Sequence, residues 1–363
     1  MSTLSPTVRE LIEKRKAEAG GYTAPVATPE TEFESVVVKP DPLVDWSAIT
    51  VLKNTIKYSE IVGEMHPSGT DWEYPKPPVF EQTDAIPVPD ENWVPDHGTL
   101  PNTIACIMYG HNGLIVGPPG TGKTKDPQEI CARAGIPYYR VNGMAGMEAS
   151  DLVGSVHLVD GDTKFIDGPI CEAVESGGLL AIDEPFKMPA GTLMALQALA
   201  EETNKQRYIS KYGHEDASKV RLYAHQQFRM VLCDNVRGTG DGMDKMAATE
   251  IQDQSFINRM TYKILKDYMS PETEVKAICK AYPWITTRLA GEMVKFGNLM
   301  RKAWNNGSVE LPFSFRELQA WSDAIAETRS IRGGLDVVYG NLLTEDSEKD
   351  IYINAWNDVG LTS

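Results

Sequence analysis

The chain has 363 residues, longer than one ordinary domain, and a formal net charge of −16 from 35 basic and 51 acidic side chains. That balance argues for a soluble protein and against a general affinity for polyanions, which makes nucleic acid an unexpected partner. No apolar run reaches the roughly 20 residues that span a bilayer and no signal-peptide apolar core follows Met1, while Cys106, Cys131, Cys171, Cys233 and Cys279 lie scattered without a C-x-x-C pair or histidine partners, predicting reduced core thiols, no membrane and a cytoplasmic location.

At the N-terminus, Val8, Leu11 and Ile12 recur at helical spacing beside Arg9, Glu10, Glu13 and Lys14. This predicts a short amphipathic helix that ends at Gly20-Gly21 and needs a partner surface. From Tyr22 to Pro101 the chain is rich in proline, at Pro75, Pro77, Pro78, Pro87, Pro89 and Pro95 among others. Val36 to Val38 and Ile49 to Ile61 read as strands or a short helix, and Trp46, Trp72 and Trp93 are available to dock on a neighbour. Two readings of this stretch stay open: a loosely ordered arm, or a docking arm for an adjacent subunit or partner.

From Thr103 strand-like and helix-like segments alternate, as in a parallel sheet covered by helices. The expected strands are Leu114 to Val116, Tyr138 to Val141, Leu179 to Ile182, Phe228 to Cys233 and Tyr262 to Leu265. Between the second and third, an Asp160-Gly161-Asp162 turn predicts a hairpin. The segment after Pro189 predicts a helix with Leu193, Leu196 and Leu199 or Ala200 on one face. Beyond Lys266 the pattern is helical only. Ser270-Pro271 marks one helix start, Leu289, Met293, Phe296 and Met300 form an apolar stripe in the next, and Ser314-Phe315-Arg316-Glu317 is a capping box before Leu318, Trp321 and Ile325. These helices form a small lid.

Two motifs carry chemistry. Gly113 to Thr124 reads GLIVGPPGTGKT, a strand breaking into a phosphate loop and then a helix. Gly117, Pro118, Pro119, Gly120, Thr121, Gly122, Lys123 and Thr124 fill the loop; the glycines let backbone N–H groups crowd around phosphate oxygens, and the following helix turns its positive dipole end toward them. Lys123 is expected to reach the β- and γ-phosphates of ATP, and Thr124 to give its hydroxyl to Mg²⁺. Lys125-Asp126-Pro127 follows directly, with its proline tolerable only in the first helical turn. The second motif is Leu179 to Glu184, LLAIDE, an apolar strand that delivers two carboxylates to the carboxyl edge of the sheet. Asp183 is expected to hold Mg²⁺ through water, and Glu184 to orient and polarise the attacking water.

With these motifs, Tyr139-Arg140-Val141-Asn142, DLVG at Asp151 to Gly154, the DGDTKFIDGPI segment, the strand from Phe228-Arg229 to Asp234-Asn235, and Asn258-Arg259 stand in a fixed order. In this combination the chain resembles the MoxR-type AAA+ ATPases, closest to the CobS-like ATPase subunit of cobalt chelatase, from Asn102 to Ala326. The resemblance implies an α/β AAA+ P-loop NTPase core at 102–266 followed by a helical lid domain, which with the tail spans 267–363; the N-terminal helix and Pro-rich arm at 1–101 lie outside it. It implies that Asn235 is the sensor contacting the attacking water or γ-phosphate and that Arg259 is the arginine finger completing a neighbouring subunit's site. It also implies that Arg316 is the second sensor, a role for which Arg237 and Arg301 compete. An Mg²⁺-dependent ATPase follows, assembled as a homo-oligomeric ring, a hexamer, that remodels or activates a partner protein or adaptor, one with a metal-binding domain being the type the resemblance suggests. A metal-chelatase subunit and a nucleic-acid motor or loader are the alternatives. Glu201 to Tyr223 and Gly238 to Gln254 carry no assignable motif.

Overall fold

The computed structural model describes residues 54–81, 84–201, 206–236 and 253–361. The helix expected before Gly20, Val36 to Val38, Trp46, Arg237 and residues 238–252 lie outside them. In chain order the elements are β1 (Thr55–Lys57), α1 (Tyr58–Val62), β2 (Glu73–Pro75), α2 (Leu100–Tyr109), β3 (Gly113–Val116), α3 (Lys125–Ala134) and β4 (Tyr138–Asn142). Next come α4 (Ala149–Val153), β5 (Gly154–Val159), β6 (Asp162–Asp167), α5 (Cys171–Ser176), β7 (Gly178–Asp183), α6 (Ala190–Met194), β8 (Tyr208–Ser210), β9 (Arg221–Tyr223) and β10 (Phe228–Asp234). The remainder is α7 (Gln254–Asn258), β11 (Tyr262–Leu265), α8 (Pro271–Ala281), α9 (Thr287–Asn305), α10 (Phe315–Thr328), α11 (Ile331–Val338) and α12 (Asp346–Val359).

The expected strands assemble into one five-stranded parallel sheet, ordered β11-β3-β10-β7-β4. Period-two alternation sends its side chains to two separate cores. Leu114, Val116, Leu180, Ile182, Met230 and Leu232 pack on one face with α5 and the segment after β7. Ile115, Leu179, Val231, Cys233 and Ile264 pack on the other with α2 and α3. The predicted hairpin is β5–β6, paired from Gly154↔Asp167 to Val159↔Asp162 around Asp160 and Gly161, both at positive φ.

Two segments differ from expectation. Residues 54–101 pack on their own chain: Tyr58, Ile61, Tyr74, Phe80 and Trp93 are buried in the same core as α2 and α3. Tyr58 and Ile61 do so from α1 and Tyr74 from β2, while Phe80 and Trp93 are buried from outside any helix or strand. After Pro189, only Ala190–Met194 is α-helical; the chain then tightens into i→i+3 bonds, Leu196 N–H to Leu193 C=O at 2.9 Å and Leu199 N–H to Leu196 C=O at 3.0 Å. Leu193, Leu196, Leu199 and Ala200 are nevertheless all buried, because the tighter coil puts them against the sheet together.

The helices after β11 enclose a third core, in which Phe296 meets Phe313, Trp321 and Tyr352 edge-on at 5.5–5.7 Å between ring centres. Ser270 caps α8 through the Thr273 N–H, and Ser314 and Glu317 complete the capping box of α10. Inside this core Arg301 forms a buried fork on Glu274, with both N···O distances 2.8 Å, donates to Phe313 C=O at 2.8 Å and lies over the Tyr268 ring. Burial raises the Glu274 carboxyl above its ordinary range even with Arg301 beside it. Such an acid binds a proton more readily folded than unfolded, so its cost is present at neutral pH and fades toward acid. Arg301→Met is therefore expected to lower stability by about 3–5 kcal/mol near pH 7 and by clearly less near pH 4, as read by denaturant unfolding at the two pH values.

Candidate active site

β3 delivers the phosphate loop to the carboxyl edge of the sheet. Gly120 and Gly122 have φ of 73° and 84°, which side chains with a Cβ rarely adopt. At Gly117 the demand is for space: an added Cβ would lie 1.8 Å from the Lys266 carbonyl oxygen. Lys123 is buried under the loop and donates from Nζ to Gly117 C=O at 2.9 Å, Pro118 C=O at 2.7 Å and Asn235 Oδ1 at 2.7 Å. Thr121 Oγ1 donates to Pro118 C=O at 3.0 Å, and Pro119 lines the cavity above.

β7 and β10 carry the acidic side. Thr124 Oγ1 donates to Asp183 Oδ1 at 2.6 Å, and Arg140, from the edge strand β4, donates to Asp183 Oδ2 from Nε at 2.6 Å and pairs through Nη2 as well. Glu184 leaves β7 with φ 51° and ψ 43°, a left-handed conformation uncommon for a residue with a side chain. Its carboxylate faces Lys187 Nζ at 2.7 Å. Asp234 is buried and structural: it accepts the N–H groups of Phe186 and Val236 at 3.0 Å each, fixing the turn after Glu184. Burial pushes its carboxyl up.

Gly120, Thr121, Gly122, Lys123, Thr124, Asp183, Glu184, Asn235 and Arg316 line one cavity of about 1100 Å³, closed by Trp93 and Val94 before α2, by Met269 ahead of α8, and by Ala277 and Phe315 of the C-terminal helices. Arg259 is not among them. It lies at the end of α7, held by Glu201 Oε2 at 3.2 Å from Nε and by Ser255 C=O at 2.7 Å from Nη1, on a separate cavity of about 630 Å³ bounded by Ser155, Met194 and Tyr208. Arg301 is locked in the C-terminal core and reaches no part of the site.

Arg140 and Lys187 were not singled out by sequence reasoning. Both are basic residues on elements that carry a motif, yet their partners depend on strand register and on a 3₁₀ turn at Pro185–Lys187. Lys266 is a third such residue. Its buried ammonium binds Asp126 at 2.6 Å and Asp96 at 3.1 Å, and these partners outweigh the effect of burial to hold it above its ordinary range.

The family model described as AAA domain (dynein-related subfamily) matches residues 112–250. Aerobic cobaltochelatase subunit CobS from Sinorhizobium sp is 24% identical over 255 residues, 68% of this chain and 75% of that protein. Denitrification regulatory protein NirQ from Stutzerimonas stutzeri is 27% identical over 196 residues, 54% of this chain and 65% of that protein, so the match spans just under two thirds of NirQ. Among solved structures, a RuvB mutant from Thermotoga maritima aligns with a TM-score of 0.44 and 17% identity over 71% of this chain and 73% of that one.

The Lys123 ammonium is pushed down to about 8, chiefly by burial, with the Arg316 charge adding to the effect against the opposing charges of Asp234 and Asp183. An anion drawn to Lys123 meets a cation only while the amine is protonated. Affinity for a labelled ATP analogue is therefore expected to hold steady below pH 8 and to weaken above it by up to about tenfold per pH unit. Lys123→Arg, whose charge does not titrate, should give a flat profile between pH 7 and 9.5. A flat profile in the unaltered protein would separate Lys123 from the bound anion.

Proposed function

We propose that this chain, a MoxR-type AAA+ ATPase related to CobS, binds Mg²⁺-ATP in the large cavity and hydrolyses it as a homo-oligomeric ring, a hexamer, that remodels or activates a partner protein complex. The reading is carried by one observation: the phosphate loop, the acidic pair, Asn235 and Arg316 line a single cavity, while Arg259 lies on a different one. A site complete in every group but the finger invites one from a second copy.

In this reading Lys123 exchanges the carbonyl oxygens of Gly117 and Pro118 for phosphate oxygens and stays bound to Asn235, which places the amide beside the γ-phosphate. The hydroxyl of Thr124 and the carboxylate of Asp183, already 2.6 Å apart, are oxygen donors of the kind Mg²⁺ takes. The metal, when bound, supplies neutralisation of phosphate charge. Glu184 orients the attacking water and accepts its proton, with Lys187 fixing the carboxylate until then. Arg316, at the start of α10, reports phosphate occupancy to the C-terminal helices. A cytoplasmic setting belongs to the same proposal and is supported by five cysteines that form no disulfide. A metal-chelatase subunit is the second reading, favoured by the printed description of CobS as a cobaltochelatase subunit.

Lys123→Ala is expected to abolish ATP binding, whereas Glu184→Gln should bind ATP and lose at least about 10²-fold in turnover. Titration with labelled nucleotide and steady-state phosphate release separate the two, and unchanged turnover in Glu184→Gln would remove the acidic pair from the mechanism. Arg259→Ala alone should lose on the order of 10³-fold. Mixing Arg259→Ala subunits with Glu184→Gln subunits should restore phosphate release, because intact Glu184 and intact Arg259 then meet across some interfaces. A mixture no more active than its parents would place Arg259 in its own subunit's structure.

A further inference from the structure

We propose that Arg140 is the resident counter-ion of Asp183 and sets how strongly nucleotide binding depends on the metal. This rests on the reading of the cavity as the nucleotide site. Asp183 ends β7 with only 9% of its side chain exposed. One of its oxygens accepts the Thr124 hydroxyl, and the other is taken by the Arg140 fork. Asp183 lines the same cavity as Lys123, so an uncompensated carboxylate here would repel a triphosphate at short range and in a poorly screened place.

Arg140 removes that repulsion. The neutralisation lasts as long as the pair does. The Arg140 side chain reaches in from the sheet edge with half its surface, 51%, still in water, so leaving Asp183 strands no buried cation. A dication held by Thr124 and Asp183 would compensate the same carboxylate. The ion pair and the metal are thus alternative neutralisers of one group, and each lowers what the other gains. A salt bridge that merely fastened β4 to β7 would contribute to stability and leave metal dependence alone.

The difference is measurable as the ratio of dissociation constants for a labelled ATP analogue in EDTA and in Mg²⁺, in the full chain, for Arg140→Gln, Asp183→Asn and the pair together. Arg140→Gln should weaken metal-free binding by about tenfold or more and change binding in Mg²⁺ far less, raising the ratio by about tenfold. The half-saturating Mg²⁺ concentration should fall in step. On the Asp183→Asn background the same substitution should leave the ratio within about threefold, since no carboxylate is left to neutralise. An unchanged ratio in Arg140→Gln, with or without a lowered unfolding temperature, overturns the proposal. So does an equal shift on both backgrounds, which would put Arg140 directly on the phosphates. Failure of the nucleotide-site reading would show itself separately, as retained binding in Lys123→Ala.

Discussion

The ammonium of Lys266 is the point at which the site is held together. Its Nζ is shared by Asp126 in the first turn of α3 and by Asp96 and Thr99 ahead of α2, while its backbone N–H closes on Val116 C=O at 2.7 Å. Its own carbonyl lies so close to Gly117 that no Cβ fits between them. One residue therefore fixes the end of β11, the entry to the phosphate loop and the start of the helix behind it. Trp93 joins through Nε1 to Asp126 at 3.3 Å, which ties the segment before α2 to the same ammonium. Because Lys266, Asp126 and Trp93 are buried, losing one charged partner leaves a charge uncompensated away from water, at a cost of several kcal/mol. The unusual Lys125-Asp126-Pro127 start of α3 is explained on this footing. Proline sits where its missing N–H has no intrahelical partner, and aspartate sits where the lysine needs it.

The parts of the site legible in the sequence are those whose geometry is local. A phosphate loop is a run of backbone conformations, so its glycines name themselves, and an apolar strand ending in Asp-Glu declares both its burial and its polar edge. The five strands could be read for the same reason, since period and composition are short-range properties. What could not be read depends on pairing between distant segments. Arg140 reaches Asp183 only because β4 lies beside β7 with Asn142 opposite Asp183, and strand order is not written in either strand. Trp93 gave no period because it lies outside any helix or strand; its burial is decided by the surface it meets. The helix read after Pro189 is shorter than its pattern suggests, Ala190–Met194, for a related reason: leucines three apart fit a tighter i→i+3 coil nearly as well when every one of them is buried.

Charge shows the same division between composition and place. The chain as a whole is strongly acidic, yet its large cavity is lined by Lys123, Lys125, Arg140, Lys187, Lys266 and Arg316. Several of these are committed to carboxylates: Lys266 to Asp126 and Asp96, Arg140 to Asp183, Lys187 to Glu184. Lys123 alone among them is bound to backbone carbonyls and an amide, none of them charged. Burial weakens its hold on the proton, and it gains from an incoming anion because neutral acceptors compete poorly with a phosphate oxygen. Overall acidity keeps polyanions off the surface without weakening this local preference, since a charge beyond about 10 Å is largely screened at moderate salt.

The separation of Arg259 from the cavity has a structural counterpart in how it is held. Glu201 and Ser255 take its Nε and Nη1, and Gln197, with its amide oxygen turned toward the guanidinium, accepts Nη2 at 3.0 Å. A fork fixed on three sides does not search for a partner; whatever it meets must be brought to it. Two of its three holders belong to the segment that begins at Glu184, passes the turn pinned by Asp234 and runs through α6 to Gln197 and Glu201. In the proposed mechanism that segment joins the carboxylate acting on water in one subunit to the clamp of the arginine offered to the next. It is packed rather than loose, with Phe186, Leu193, Leu196 and Leu199 all buried against the sheet. A shift at Glu184 would then be passed on as a displacement of a packed body, because close-packed side chains transmit strain instead of absorbing it. The left-handed backbone at Glu184 stands at the one end of this segment where such a shift would begin.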